Sequence, residues 1–92
     1  MSTISPYDFN NDTMFRVYEG FVRSAIQQKK KQVLPSDPNN VFLPEWLKAL
    51  CARVPVKESE EEALLFIDGL TEIEAISREA AETYKSQIHK CA

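Results

Sequence analysis

Glycine is scarce in this chain, with two glycines among 92 residues. Loops that cradle phosphate groups and tight β-hairpins both depend on residues at positive φ, which glycine adopts most easily. The sequence therefore argues against a nucleotide-binding loop, and neither a P-loop nor a dinucleotide-binding fingerprint is present.

Cysteine and histidine are also scarce. The two cysteines, Cys51 and Cys91, stand forty positions apart without a CxxC motif. His89 and Cys91 offer two ligands where structural zinc takes four, so no metal site or cofactor is expected. Cys51 lies in an apolar segment and is predicted to be a small buried hydrophobe.

No constellation for catalysis is evident. A nucleophile requires a neighbouring base, and the only histidine, His89, lies three residues from the end of the chain. The acidic residues occur where helix caps and solvent-facing helix positions are predicted, not as a separated pair across a cleft. We therefore expect a protein that is not an enzyme and takes no small-molecule substrate.

Long apolar runs are missing as well. No stretch approaches the ~18 consecutive apolar residues of a membrane span. The first residues contain neither a basic segment nor an apolar one typical of a signal peptide. The expected location is the cytoplasm, without membrane association.

What the sequence does contain is helical periodicity. An apolar stripe follows an extended lead-in over residues 1–11 and predicts a helix over about 12–32; its members are Met14, Tyr18, Phe21, Val22, Ala25 and Ile26. Lys29, Lys30 and Lys31 would then occupy the last turns, where cations suit the helix dipole. A proline-containing loop is expected over 33–40.

A second, shorter helix is expected from Pro44, which suits a first turn, to Val54. Ser59 and Glu62 form a capping box that predicts a third helix, closed by Gly69 in left-handed geometry.

Thr71 and Glu74 form a second capping box, which predicts a long final helix extending to about Lys90. The predicted fold is a single all-α domain over residues 1–92, with two long amphipathic helices packed against two short ones. The apolar run 63–67 also suits a buried strand. An α+β alternative would therefore use short strands at 41–43, 53–56 and 64–67.

Charge is distributed unevenly along the chain. Residues 1–57 contain eight Lys/Arg and five Asp/Glu, a balance of +3, whereas residues 58–92 contain three and nine, a balance of −6. In the basic half, Lys29, Lys30, Lys31 and Arg23 are candidates for contacts with a nucleic-acid backbone. A helix end that is simply solvated is the competing interpretation.

In the acidic half, Glu60, Glu61 and Glu62 begin a dense group of carboxylates. Such a face suits a basic groove on a partner protein. The same three residues also suit the N-terminal turn of a helix, whose dipole favours anions.

Aromatic residues are the remaining interface candidates. Trp46 lies on the apolar face of the second predicted helix and is expected in the core. Tyr7 and Phe9 lie in the lead-in and are better candidates for contacts with a partner.

In size, acidity, single-domain build and lack of catalytic motifs, the whole chain resembles the small phage-encoded anti-CRISPR proteins directed at type I surveillance complexes. The resemblance implies a non-catalytic inhibitor that binds a Cas protein–guide RNA complex in the bacterial cytoplasm and blocks recruitment of target DNA. Members of this family share no signature motif, so the resemblance assigns no residues of this chain. A small nucleic-acid-binding or regulatory protein using Lys29–Lys31, and a non-catalytic subunit of a larger assembly, are the alternatives.

Overall fold

The computed structural model describes residues 9–35, 42–54 and 56–91, with side chains described as far as Ile88. Four α-helices account for most of these residues: α1 (Asp12–Gln28), α2 (Phe42–Arg53), α3 (Glu60–Glu72) and α4 (Arg78–Cys91). No strand occurs in these ranges, so the all-α prediction is confirmed. The strand alternative for 64–67 is wrong because these residues lie inside α3.

Helix α1 begins at Asp12, at the predicted start, and its N-cap is Asn11. The Oδ1 atom of Asn11 accepts from the backbone N–H of Thr13 at 2.8 Å and of Met14 at 3.3 Å. The helix ends at Gln28, four residues before the predicted end, because Lys29 adopts left-handed geometry with φ of 56°. The lysines therefore follow α1 instead of forming its last turns, and Lys31–Val33 is a separate 3₁₀ turn.

Helix α2 begins at Phe42, two residues before the predicted start. Pro44 nevertheless lies in its first turn, where a missing N–H leaves no intrahelical hydrogen bond unmade. The predicted lead-in and the predicted loop over 33–40 fall partly outside the described residues.

Helix α3 has the predicted N-cap. The hydroxyl of Ser59 accepts from the backbone N–H of Glu62 at 3.0 Å. The predicted end at Gly69 is wrong: the helix continues to Glu72, and neither glycine has positive φ. Gly69 is instead the point where α3 approaches α1, since a Cβ there would lie 2.7 Å from Ile26 Cδ1.

The second predicted capping box is also wrong. Thr71 is part of α3 and its hydroxyl donates to the carbonyl of Ile67 at 2.8 Å. Glu74 has φ of 62° and lies in the connection between α3 and α4. The cap of α4 is Ser77, whose Oγ accepts from the N–H of Ala80 at 3.1 Å. The four helices therefore differ less in length than the two long and two short helices that the sequence predicted.

Trp46 lies at the centre of the core and is fully buried, as predicted. Its ring stacks on Phe15 with centroids 5.2 Å apart and meets Phe66 edge-on at 5.4 Å. The indole N–H donates to the carbonyl of Phe15 at 3.2 Å, which satisfies the one polar atom of the side chain. Aromatic packing thus joins α1, α2 and α3, while α4 packs against α2 and α3.

Candidate protein-interaction surface

Arg23 is held by α3 and does not join the lysines. Its guanidinium Nη2 lies 2.8 Å from Glu62 Oε1 and 3.5 Å from Glu19 Oε2. The same group stacks over the ring of Phe66, 4.9 Å from its centroid. The hydrogen bond to Glu62 raises the pKa of Arg23 above its ordinary value. A phosphate would have to compete with two carboxylates for this side chain.

The three lysines are exposed at the end of α1. Lys29 Nζ lies 3.7 Å from Glu72 Oε1, a solvent-exposed pair. Lys30 and Lys31 make no ion pair with any residue that the structure describes. Within the predicted basic cluster, they differ in this from Arg23 and Lys29, which pair with carboxylates.

A second arginine, Arg16, joins α1 to the turn before α3. It donates to Glu19 Oε1 at 3.0 Å and to Glu58 Oε2 at 2.5 Å. The Glu58 carboxylate is almost fully buried, and these charge-assisted bonds raise the pKa of Arg16. Sequence reasoning missed this network because Arg16 and Glu58 are 42 positions apart.

The acidic half does not form one uninterrupted negative face. Three of its carboxylates, Glu58, Glu62 and Glu72, pair with bases of the basic half. A fourth, Asp68, pairs with Lys85 of the acidic half at 2.6 Å. Glu61 on α3 is exposed and makes no ion pair within the described residues. The same holds for Glu74, Glu79 and Glu82 around the start of α4. Glu60 is partly buried in the first turn of α3.

A mainly apolar groove of about 180 Å³ lies between α1 and α3. Its lining consists of Arg23, Ile26, Gln27, Glu62, Leu65 and Phe66. Leu65 lies at the edge of the groove and is 63% exposed, although it belongs to the apolar run 63–67. Four residues earlier on the same helix stands Glu61, so an apolar side chain and an unpaired carboxylate share one face. The buried residues of α3 follow the i, i+3, i+4, i+7 stripe of a helix, namely Ala63, Phe66, Ile67 and Leu70, and Leu65 lies outside this stripe. The five apolar residues 63–67 hide this signal when they are considered without Leu70.

The aromatic candidates of the lead-in have different outcomes. Tyr7 lies outside the described residues. The prediction for Phe9 is wrong, because Phe9 is buried and packs edge-on against Tyr18 with centroids 5.3 Å apart. Phe9 therefore belongs to the core.

No group of three or more histidine, cysteine or acidic side chains among the described residues could hold a metal ion. Cys51 is buried as predicted, with its Sγ 3.7 Å from the carbonyl oxygen of Tyr84. The side chains of His89 and Cys91 lie outside the described part. None of the helices that the structure describes is long and apolar enough to cross a membrane.

Comparisons with known proteins give no relative. No protein-family model matches the chain, and neither a curated protein nor a solved structure matches it.

Proposed function

We propose that this chain is a non-catalytic inhibitor that binds a protein partner through the outer face of α3. The observation that carries the proposal is Leu65, 63% exposed beside Glu61 on a helix without a single lysine or arginine. An exposed apolar side chain at the edge of a groove, next to an unpaired carboxylate, suits a partner that presents an apolar residue near basic ones.

The two residues have different roles in this proposal. Burying the exposed part of Leu65 contributes affinity, at most about 1.5–3 kcal/mol for a side chain of this kind. Glu61 mainly speeds association and orients the partner, because a charge at the rim acts over distance but is screened by salt. Binding should therefore weaken moderately with salt but persist through the apolar contact.

The resemblance to anti-CRISPR proteins gives the proposal a specific target, a type I Cas protein–guide RNA surveillance complex in the bacterial cytoplasm. The groove in which such a complex holds DNA has to be basic, because nucleic acid is polyanionic. An acidic chain seated there would block recruitment of target DNA by occupancy. Lys30 and Lys31, which are exposed at the end of α1, would contact the guide RNA backbone.

The test is a titration of target DNA binding by a purified type I surveillance complex in the presence of the chain. We expect stoichiometric loss of DNA binding, weakened at least tenfold by Leu65→Gln and by Glu61→Lys. Val56→Gln is the matched control, because Val56 is 87% exposed and lies outside the groove. Undiminished DNA binding at excess chain rules out this target, and equal effects of Leu65→Gln and Val56→Gln rule out the α3 face.

Glu61 is a better test position than the group Glu60, Glu61 and Glu62 together. Reversing Glu62 would also break its contact with Arg23, 2.8 Å away. A loss of binding would then report a change in fold as much as a lost contact. Glu61 makes no ion pair within the described residues, so reversing it disturbs only the favourable place of an anion in the first turn of α3.

The second candidate function is binding to nucleic acid through the lysines. It is supported by the exposure of Lys30 and Lys31, which make no ion pair in the part of the chain that the structure describes, although Arg23 is held by α3. Replacing Lys29, Lys30 and Lys31 by Gln should then abolish a salt-sensitive affinity for free DNA or RNA. If the unmodified chain has no such affinity at low salt, this candidate is excluded.

A further inference from the structure

The groove between α1 and α3 is small. Its volume of about 180 Å³ is below the roughly 300–1,000 Å³ of pockets that hold a small organic molecule. It extends over residues 23–27 of α1 and 62–66 of α3, about one helical turn on each side. Just beyond this turn, at Gly69 and Ile26, the two helices are in close contact. The space therefore suits one inserted side chain of a partner protein.

Arg23 provides a planar surface in this groove. Its guanidinium carbon lies 4.9 Å from the centroid of the Phe66 ring, and the Arg23 side chain is 53% exposed. The ion pairs with Glu62 and Glu19 hold the guanidinium in this orientation. Arginine stacks on aromatic faces, so the exposed part of the group is suited to receive a second ring.

The charge beside the groove is negative at the start of α3. Arg23 is outweighed by Glu19 and Glu62, which both pair with it. Glu61 is exposed and makes no ion pair within the described residues. A partner with basic residues at this end of the groove is therefore favoured over an acidic one.

The other end of the groove has the opposite charge. Lys29 pairs with Glu72, so the end of α1 meets the end of α3. Lys30 and Lys31 follow there, at the far end from Glu61. The basic residues of a partner should therefore lie on one side of its inserted side chain and not on both.

The polar groups of the groove leave little for an extended peptide to bond to. Arg23 and Glu62 bond to each other, so Gln27 is the remaining polar side chain of the lining. An extended segment would bring unpaired backbone N–H and C=O groups into this space, and the described ranges contain no strand edge to pair with them. A helix pairs these groups internally, so the segment that fits is a helix.

We propose that the groove takes a single aromatic side chain, carried by a basic helix of the protein partner and stacked on Arg23. This inference rests on the proposed function and specifies its partner. The ring would lie beside Leu65 and Ile26, while lysines or arginines of the helix face Glu61. Arg23 is then the residue that selects an aromatic side chain over an aliphatic one.

The experiment measures the binding of three synthetic peptides to the full chain by fluorescence anisotropy. Each has about 18 residues, long enough to form a helix in water, with lysines confined to one side of a central residue. The central residue is phenylalanine in the first peptide and leucine in the second; the third has phenylalanine, with glutamates in place of the lysines. We expect the first to bind about two- to fivefold more tightly than the second. The third should bind about tenfold more weakly than the first.

Arg23→Lys tests the stacking contact. It keeps the charge that pairs with Glu62 but removes the planar group, so the preference for phenylalanine over leucine should disappear. Arg78→Lys, at an exposed position of α4 outside the groove, is the matched control and should retain the preference. Because the preference is a ratio of two affinities within one variant, a change in stability alone does not alter it.

A preference for phenylalanine that persists in Arg23→Lys overturns the proposal, and so does equal binding of the lysine and glutamate peptides. The methyl NMR signals of Leu65 and Ile26 locate the contact, and signals that do not shift at millimolar peptide also contradict it. The proposed function is tested separately, by Leu65→Gln against Val56→Gln in the DNA-binding titration. Loss of inhibition in Leu65→Gln alone, without the expected peptide effects, would retain the α3 face and remove the aromatic side chain.

Discussion

Gly69 of α3 and Ile26 of α1 are in such close apposition that no larger residue fits at position 69 without displacement. A Cβ at Gly69 would lie 2.7 Å from Ile26 Cδ1, 2.8 Å from Cγ2 and 2.9 Å from Cγ1. A β-branched side chain has little rotamer freedom in a helix, so Ile26 cannot turn away easily. This contact sets how closely α3 approaches α1, and with it the width of the groove beside Leu65.

The first prediction concerns this contact. Gly69→Ala should lower the free energy of unfolding by about 1–2 kcal/mol, because overpacking outweighs the gain in helix propensity. In an Ile26→Ala background the same substitution should become neutral or stabilising. Denaturant unfolding of the four chains of this double-mutant cycle measures the coupling. Additive effects of the two substitutions would contradict the prediction, because they would show that the Ile26 side chain moves aside without cost.

The second prediction concerns the other glycine. Gly20→Ala should raise the free energy of unfolding by about 0.5–1 kcal/mol, because the new methyl group meets no neighbour and the unfolded chain loses freedom. Thermal and denaturant unfolding at low concentration provide the measurement. A destabilised variant would mean that Gly20 has a contact in the folded chain that its open surroundings do not indicate.

The third prediction concerns Arg16 and Glu58. Arg16→Gln should destabilise the fold by about 1–3 kcal/mol, since the buried Glu58 carboxylate loses a donor 2.5 Å away. Adding Glu58→Gln should recover part of the loss, because a neutral amide costs less to bury than an unpaired carboxylate. Denaturant unfolding of both variants gives the comparison. A double variant less stable than Arg16→Gln alone would contradict the explanation.

The fourth prediction concerns pH. Arg53 Nη1 donates to Asp12 Oδ1 at 2.6 Å, and this hydrogen bond holds the pKa of Asp12 below its ordinary value of 3.8. A carboxyl group with a lowered folded-state pKa stabilises the fold above its unfolded pKa and loses this contribution as pH falls through the folded value. Stability should therefore decrease below about pH 4.

An NMR titration of the Asp12 carboxyl group checks this directly. The pKa should return toward 3.8 in Arg53→Gln. Asp12→Asn should remove the corresponding part of the acid-induced loss of stability. An identical Asp12 pKa with and without Arg53 would show that the contact has no electrostatic effect in solution.

Much of the helical framework follows from local sequence. The caps at Asn11 and Ser59 satisfy backbone N–H groups within three residues, so they depend on few distant contacts. The core position of Trp46 follows from its place on an apolar helix face. Local signals failed where a residue could either cap a new helix or continue the preceding one, as at Thr71. Its hydroxyl donates to the carbonyl of Ile67 inside α3, and Ser77 caps α4 instead.

The helical class of this chain follows from local sequence, because periodicity and capping act over a few residues. Which charges and apolar groups remain exposed depends on how the helices pack together. Arg23 faces Glu62 and Arg16 faces Glu58 because α1 and α3 pack together, and neither partner is visible in the local sequence. Leu65 reaches solvent within an apolar run because the rotation of α3 about its axis is set by contacts with α1 and α4. Exposure depends on the packing of whole helices, whereas helix formation depends on neighbouring residues.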